Sequence, residues 1–446
     1  MGAPRGSSLL LDAYRGVDRW AFGPDGCEEV DLPGNVPHER LMAAPLAGLA
    51  ELDLDVAFAL GGFDDTQLDG IARLGIWRIR VDGSGEVAAG EPPRLAYQSW
   101  ARTYPLSVAR NRRALLSKTA ELPARALREA QRSGRAWLEQ CRLASGLADS
   151  GGPSPISTLS KIGSRIVRRS LEKALGVEQW SLAFRFGAGR AVPPDLAGFT
   201  RITPPADRDW ADPFALEKNG RHYVFFEERV HGSAKGRIAM LELGPDGRRS
   251  EPVRVLERDY HLSHPFVLEH DGELYLIPES ARNLSVEAYR CVDFPRVWRL
   301  EHVLLDGVRL VDATFHRAPE RWWMFANGAA GASRVFDDDL HLYHAPMLFG
   351  AWQPHRRNPV KSDARCTRPA GALYWHNGAL YRPAQVCAPR YGAGLCVNRV
   401  LRLTPTEYAE RQVESLAPAA GLLGIHTVNR AGALTVVDFL ARCRRI

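Results

Sequence analysis

The feature that most restricts what this chain can fold into is a hairpin that keeps returning. Trp210 to Glu228 reads WADPFALEKNGRHYVFFEE: an apolar strand headed by Asp212-Pro213-Phe214, an Asn219-Gly220 turn, and an aromatic return strand closing on Glu227 and Glu228. Asn-Gly accepts the two left-handed residues of a tight hairpin turn, so two antiparallel strands are predicted here. His264-Pro265-Phe266 heads a second copy, with Asp271-Gly272 as its turn. In both copies the glycine falls eight residues after the head and a tyrosine eleven (Gly220 and Tyr223, Gly272 and Tyr275). Asp312-Ala313-Thr314-Phe315 opens a third, with Trp323 in the tyrosine slot and no turn glycine. Ala370, within Arg368-Pro369-Ala370-Gly371, starts a fourth with Asn377-Gly378 and Tyr381, and Gly424-Ile425-His426-Thr427 starts a fainter fifth. The starts at 212, 264, 312, 370 and 424 lie 52, 48, 58 and 54 residues apart.

Strand-rich repeats of about 40 to 50 residues are the mark of a β-propeller, whose four-stranded blades bury both faces only against stacked neighbours. Five copies predict five blades over residues 178–446. The head of each innermost strand then points to a central channel and gathers Asp212, His264, Asp312, Arg368 and His426 around one axis. Burying such a ring is costly, which makes it the candidate site.

The rest of the chain reads differently. Residues 1–144 alternate short strand and helix patterns: a strand at Ser8–Leu11, a helix at His38–Leu52, a strand at Asp53–Leu60, a helix at Asp64–Leu74 and a strand at Ile76–Val81. This predicts a small α/β domain with a parallel sheet. Ser107 to Ala144 has helical spacing and predicts two helices broken at Pro123. SGLADSGGPSPIS, 145–157, is a linker, and the segment 145–177 separates the two domains. Within it, residues 159–175 set Leu159, Ile162, Ile166 and Leu171 opposite Lys161, Arg165, Arg168, Arg169 and Lys173. Such a helix suits peripheral contact with an anionic membrane, or docking on its own domain with a solvated basic face.

A net charge of +6 spread over scattered arginines does not indicate a nucleic-acid partner. Seven cysteines without a Cys-x-x-Cys pair predict free thiols in a reducing cytoplasm. The apolar run Leu9 to Leu11 stops at Asp12, so neither a signal peptide nor a membrane span is expected.

Several residues carry candidate chemistry. Asp212 at a strand head and Asp312 between apolar neighbours are candidate catalytic carboxylates, although an aspartate before proline also serves as a turn acceptor. Glu227 and Glu228 face opposite sides of one strand, so one of them belongs to the site, and Glu228 is assigned to substrate binding. Glu279 takes the matching place in the second copy and is the favoured general acid, because a half-apolar channel raises a carboxyl pKa. His264 and His426 are candidate hydroxyl or phosphate ligands. Arg368 either clamps an anion or pairs with Asp312 or Asp212, and Gln385 reads a hydroxyl. His261 and His264 fall on opposite faces of an extended segment and make poor joint metal ligands. Trp322, Trp323, Trp375 and Tyr381 are either stacking platforms or filling between blades. Asp337-Asp338-Asp339 lacks the pattern of a calcium loop and reads as a solvated turn. No metal and no cofactor is predicted.

The phrases WADPFALEKNGRHYVFFEE, YHLSHPFVLEHDGELYLIPES, VDATFHRAPERWWMFAN, DDLHLYHAP and RPAGALYWHNGALYRPAQ, in that order, resemble the propeller module of glucosamine inositolphosphorylceramide transferases and their bacterial relatives. Asp-Pro-Phe heading an apolar hairpin also resembles the five-bladed arabinanase, invertase and levansucrase enzymes. There a first-blade aspartate is base or nucleophile and a later glutamate the acid. IARLGIWRIRVDG, residues 71–83, and YPLSVARNRRALLSKTAELPARAL resemble a shortened formyltransferase-like domain. The His-Asp pair that formyl transfer needs is missing, since His38 is the one histidine before residue 200.

These resemblances imply a glycosyltransferase of bacterial glycan or polysaccharide biosynthesis that acts on a sugar or nucleotide sugar in the propeller channel. Asp212 would be base or nucleophile, Glu279 the acid and Asp312 an electrostatic partner. A non-catalytic glycan- or nucleotide-sugar-binding propeller and a glycoside hydrolase are the alternatives.

Overall fold

The computed structural model describes residues 56–59, 72–74, 76–81, 85–90, 93–104, 106–141, 143, 160–161, 163–167, 176–328 and 336–443. The chain divides into two units, Met1–Arg169 and Ser170–Ile446. The strand expected at 8–11, the helix at 38–52, most of the helix at 64–74, His38 and the linker at 145–157 lie outside the described residues.

In the first unit β1 (Ala57–Ala59), β2 (Ile76–Val81), β3 (Gly85–Ala89) and β4 (Arg94–Ser99) form one sheet in that order. Only β1 and β2 run parallel, while β2–β3 and β3–β4 are antiparallel. The expected parallel sheet is therefore corrected to a mixed one: three residues separate β2 from β3, too few for a crossover.

Helix α1 (Val108–Gln140) starts at Ser107, whose Oγ accepts from the Arg110 N–H. Its end is held by Arg94, which donates to the carbonyls of Glu139 and Cys141. The break expected at Pro123 falls instead at Gly134, φ 60°. Leu122, Ala126 and Ala130 pack with Trp77 and Val87 and hold the helix through the proline, whereas glycine enters the left-handed region without a Cβ clash. Of the basic segment 159–175, residues 160–161 and 163–167 are helical, and Ile166 and Val167 are 43% and 61% exposed. Among the described residues no helix is long and apolar enough to cross a membrane.

The second unit is built almost wholly from antiparallel strands. β5 (Val177–Phe186) and β6 (Thr200–Ile202) precede a first sheet of β7 (Arg208–Lys218), β8 (Arg221–Val230), β9 (Arg237–Leu243) and β10 (Val253–Leu256). The second holds β11 (Ser263–His270), β12 (Glu273–Ser280), β13 (Ser285–Asp293) and β14 (Val297–Asp306), with a 3-10 turn at Ala281–Asn283. The third holds β15 (Leu310–Arg317), β16 (Trp322–Gly328), β17 (Asp339–Ala345), β18 (Gln353–Pro354) and β19 (Lys361–Ser362). The fourth holds β20 (Tyr374–His376), β21 (Ala379–Val386), β22 (Gly394–Leu403) and β23 (Tyr408–Leu416). The fifth joins β24 (Leu422–Gly424), β25 (Val428–Ala431) and β26 (Leu434–Cys443) to β5 and β6, so β26 zips along β5 from the other end of the unit.

The turns behave as the dipeptides require. Asn219-Gly220, Asp271-Gly272 and Asn377-Gly378 all have positive φ at both positions. The near-continuous apolar runs of the second strands follow from burial on both faces. On β8, Tyr223 and Phe225 pack toward Leu274, Leu276 and Tyr289 of the second sheet. Val224 and Phe226 pack toward Phe184 and Val436 of the fifth. On β16, Trp322 and Met324 join the second sheet's core, while Trp323 and Phe325 join Leu403 and Tyr408 of the fourth. A period of two thus serves two neighbours at once, and each fully buried aromatic contributes about 1.5–3 kcal/mol. Leu395 and Val397 of the fourth sheet meet Val437 and Phe439 of the fifth, which completes the cycle of interfaces.

Candidate functional site

The heads of β7, β11 and β15 share one irregularity. Asp212-Pro213, His264-Pro265 and Asp312-Ala313 each fall out of register with the return strand, two residues facing one. Asp212, His264 and Asp312 sit at φ 52°, 42° and 54°. A bulge bends its strand and re-aims the side chain, and a left-handed non-glycine residue costs about 1–2 kcal/mol. Three such residues at equivalent places are held there by what their side chains bind.

Those contacts run from sheet to sheet. Asp212 Oδ2 accepts from the His264 N–H (3.2 Å), and its Oδ1 accepts from Thr427 Oγ1 (2.8 Å). His264 Nε2 lies 3.0 Å from Thr314 Oγ1 on the third sheet. Asp312 takes Arg368 Nε (2.6 Å) and Gln385 Nε2 (2.9 Å) from the fourth. The fourth and fifth sheets meet where the Val428 N–H donates to the Ala370 carbonyl (2.8 Å), and Asn429 Nδ2 returns to Pro213 O of the first (2.8 Å). Asp212, His264, Asp312, Gln385 and His426 are all buried.

A second row comes from the return strands. Fifteen residues after each head stand Glu227, Glu279, Asn327 and Gln385 (from 212, 264, 312 and 370). Glu227 pairs with Ala211, Glu279 with Ser263 and Asn327 with Val311, each beside its bulge. Burial and then the Asp212 charge push the Glu227 carboxyl up to about 8. Burial and then the Asp312 charge hold Glu279 well above the ordinary carboxylate range, in hydrogen-bond contact with Asp312. Asp312 ends up below that range: burial raises it, but the Arg368 guanidinium and the neighbouring His264 outweigh burial. The centre therefore holds two carboxyl pairs, Asp212 with Glu227 and Asp312 with Glu279, and the glutamate of each pair keeps its proton at neutral pH.

His426 stands between Asp438 and Asp212. Its Nδ1 is 2.5 Å from Asp438 Oδ2, its Nε2 is 3.5 Å from Asp212 Oδ1, and its ring stacks on Trp180 at 4.1 Å. Burial pulls its pKa down, but the two carboxylates, Asp438 first, overcome this and hold it at about 9. Asp212, His426 and Asp438 do offer ligand atoms within 4.8 Å of one another. In the protonated form of His426 the three make an ion-paired latch, and Asp438 Oδ1 adds to it by accepting the backbone N–H groups of His426 and Thr427 (both 2.9 Å).

Several expectations change. Glu228, assigned to substrate binding, is turned to the other face. It takes Arg237 through Nε and Nη2 (3.0 and 2.7 Å), Trp210 Nε1 (3.0 Å) and Arg208 Nη1 (3.2 Å), and these partners leave it a structural carboxylate. Glu227 is the one that faces Asp212. Arg368, expected either to clamp an anion or to pair between blades, pairs with Asp312 and with Asp337 Oδ1 (2.8 Å) and lies over the Tyr391 ring. Gln385 is likewise committed to Asp312 and to Pro369 O (2.8 Å). Asp337, Asp338 and Asp339 are buried, not a solvated turn, because Asp337 answers Arg368. Trp322 and Trp323 are core residues, whereas Trp375 is 64% exposed. His261 lines the site, 3.9 Å from Glu227 Oε1 through its Nε2. The fifteen-residue spacing is the sequence signal that separates Glu227 from Glu228.

A family model described as "Glucosamine inositolphosphorylceramide transferase 1, N-terminal" matches residues 202–421. Glucosamine inositolphosphorylceramide transferase 1 of Arabidopsis thaliana is 32% identical over 206 residues, 46% of this chain and 27% of that protein. Its counterpart in Oryza sativa subsp. japonica is 31% identical over 203 residues, 45% of this chain and 27% of that protein. The chain thus spans about a quarter of the length of these curated relatives. Among solved structures, Zg3597, a family 117 glycoside hydrolase of Zobellia galactanivorans, is similar at TM-score 0.40 and 10% identity, over 59% of this chain and 90% of that one. The catalytic domain of the Coprinopsis cinerea GH62 α-L-arabinofuranosidase is similar at TM-score 0.40 and 12% identity, over 58% and 97%.

Proposed function

We propose that the second unit is a five-bladed β-propeller and that the ring at its sheet heads is a carbohydrate site, which transfers a glycosyl group from a sugar or nucleotide sugar in glycan biosynthesis. The observation that carries this reading is the pair of carboxyl pairs. Cleaving a glycosidic bond needs one carboxyl that holds a proton for the leaving oxygen and one that is ionised: Glu227 and Glu279 are held protonated beside Asp212 and Asp312, and the Arg368 guanidinium keeps Asp312 below the ordinary carboxylate range. Asp212 serves as the base or nucleophile, a return-strand glutamate as the acid, and Asp312 with Arg368 as the fixed charge that keeps its neighbour protonated. Likeness to the glucosamine inositolphosphorylceramide transferases over residues 202–421 supports a sugar as the ligand.

A non-catalytic sugar-binding unit is the second reading, favoured by the saturation of Asp312 with bonds from Arg368 and Gln385. Thermal-shift screening of wild type and Asp212→Asn against nucleotide sugars, sugar phosphates, oligosaccharides and folates tests the site. A sugar at about one hundred times its Kd adds about 2.7 kcal/mol of stability. A rise seen in wild type and lost in the variant supports the reading. Stabilisation by a folate alone, indifferent to Asp212, overturns it.

A further inference from the structure

Resting on the glycosyl-transfer reading, we propose that Glu227 is the proton donor of this site and that His261 is the residue that positions it. Glu279, the donor expected by sequence, has its proton already engaged. Its carboxyl is in hydrogen-bond contact with Asp312, its Oε2 accepts from Ser263 Oγ (3.1 Å), and Asp312 is tied in turn to Arg368 and Gln385. The Glu227 carboxyl makes no hydrogen bond to another described residue, and the side chain is 14% exposed beside His261 at 23%. Its proton is held by no described residue.

The setting of Glu227 is built. The loop between β8 and β9 brings the Gly236 N–H to His261 Nδ1 (2.8 Å), and the Leu262 N–H donates to the Gly236 carbonyl (3.0 Å). Since Nδ1 accepts, the ring hydrogen sits on Nε2, the nitrogen that faces Glu227 Oε1. At 3.9 Å the two share no hydrogen bond, and the Nε2–H stands as a donor for the carboxylate that remains once Glu227 has given up its proton. Residue 236 has to be glycine: a Cβ there would stand 2.6 Å from the Leu262 carbonyl oxygen, as well as 2.5 Å from Glu227 Oε1 and 2.9 Å from His261 Cε1.

The charges agree with this proton placement. Burial holds His261 down to about 4, with Arg229 and Arg282 opposing its charge and Asp212 and Asp312 favouring it. Glu227, facing Asp212, Arg229, His426 and Asp209, keeps its proton up to about 8. The step is balanced. As the bond from C1 to the leaving oxygen breaks, its electron pair goes to that oxygen, which takes the carboxyl hydrogen of Glu227. The acceptor hydroxyl attacks C1 and gives its proton to Asp212, and the Glu227 carboxylate left behind is met by His261 Nε2–H until solvent reprotonates it.

Two arms test the proposal. Infrared difference spectra of wild type minus Glu227→Gln, on the intact chain from about pH 6 to about pH 10, are expected to show one protonated carboxyl lost with the side chain. Identical spectra at neutral pH overturn the placement of the proton. Turnover of phenyl and 2,4-dinitrophenyl glycosides forms the second arm. Glu227→Gln should lose about 10²–10⁴-fold on the phenyl compounds and far less on the dinitrophenyl ones, whose leaving group needs no proton. His261→Leu should move the alkaline limb of the pH profile while His261→Gln, which can accept from Gly236 and donate to Glu227, restores it. An equal loss on both leaving groups, or the selective loss in Glu279→Gln instead, overturns the assignment and leaves the carbohydrate site standing. No turnover of any glycoside by wild type, with sugar binding intact, overturns the donor role and the transfer reading together.

Discussion

His426 joins the last sheet of the second unit to the first, and its charge has a measurable consequence. The ring is buried, stacked on Trp180, with Asp438 at Nδ1 and Asp212 at Nε2. In an unfolded chain its pKa is 6.5, and the two carboxylates raise it to about 9 in the folded one, against the opposing effect of burial. At about 1.4 kcal/mol per pH unit that interval corresponds to about 3 kcal/mol. Because the folded value lies above the unfolded one, the contribution is complete below about pH 6.5 and is lost as pH rises through about 9. Urea unfolding of wild type and His426→Gln, followed by tryptophan fluorescence at about pH 6 and about pH 10, reads the difference. Wild type should lose about 3 kcal/mol more than the variant over that interval, since tyrosine and lysine titrations are common to both. Equal losses in the two proteins would refute the latch.

Three further outcomes follow from the same geometry. Arg368→Gln leaves Asp312 buried without its guanidinium and should cost about 3–5 kcal/mol in urea unfolding, part of it recovered when Asp312→Asn is added. Gly371→Ala places a Cβ 2.0 Å from the Val428 carbonyl at φ 133°, so the seam between the fourth and fifth sheets must open, and thermal unfolding should fall by several degrees. Glu228→Gln should lower stability by about 1.5–3 kcal/mol through lost bonds to Arg237 and Arg208, yet leave any sugar-dependent thermal shift unchanged, because Glu228 faces away from Asp212.

What could be read from the sequence was whatever repeats. The hairpin turns are written in Asn-Gly and Asp-Gly, whose left-handed φ values follow from the residue types. The heads Asp212, His264 and Asp312 share a place in the repeat, and the structure gives all three the same bulge and the same left-handed backbone. Pairings between repeats were not legible. Arg368 reaches Asp312 across 56 residues and Thr427 reaches Asp212 across 215, and no local pattern encodes which head turns to which. Asp337 looked solvated because its neighbours are acidic, and only the position of Arg368 makes it a buried partner. In the first unit, periodicity found β2 but not its antiparallel neighbours, because short strands do not declare their direction.

The choice between Glu227 and Glu228 shows how closely fold and site are bound here. Both end the same strand, and both carry a carboxyl at a place where half of the environment is apolar. One residue along the strand exchanges Arg237, Arg208 and Trp210 for Asp212 and His261, and with them a held-down carboxylate for a proton kept up to about 8. The heads themselves bind sheet to sheet, so removing Asp212 or Asp312 loosens the structure and the chemistry together. Among the return-strand positions Gln385, Glu279 and Asn327 also hold neighbours, but the Glu227 carboxyl holds no other described residue by a hydrogen bond. Substitutions that separate catalysis from folding therefore belong at Glu227, where lost activity with retained thermal stability can be assigned to the proton alone, whereas His261 also holds the Gly236 N–H.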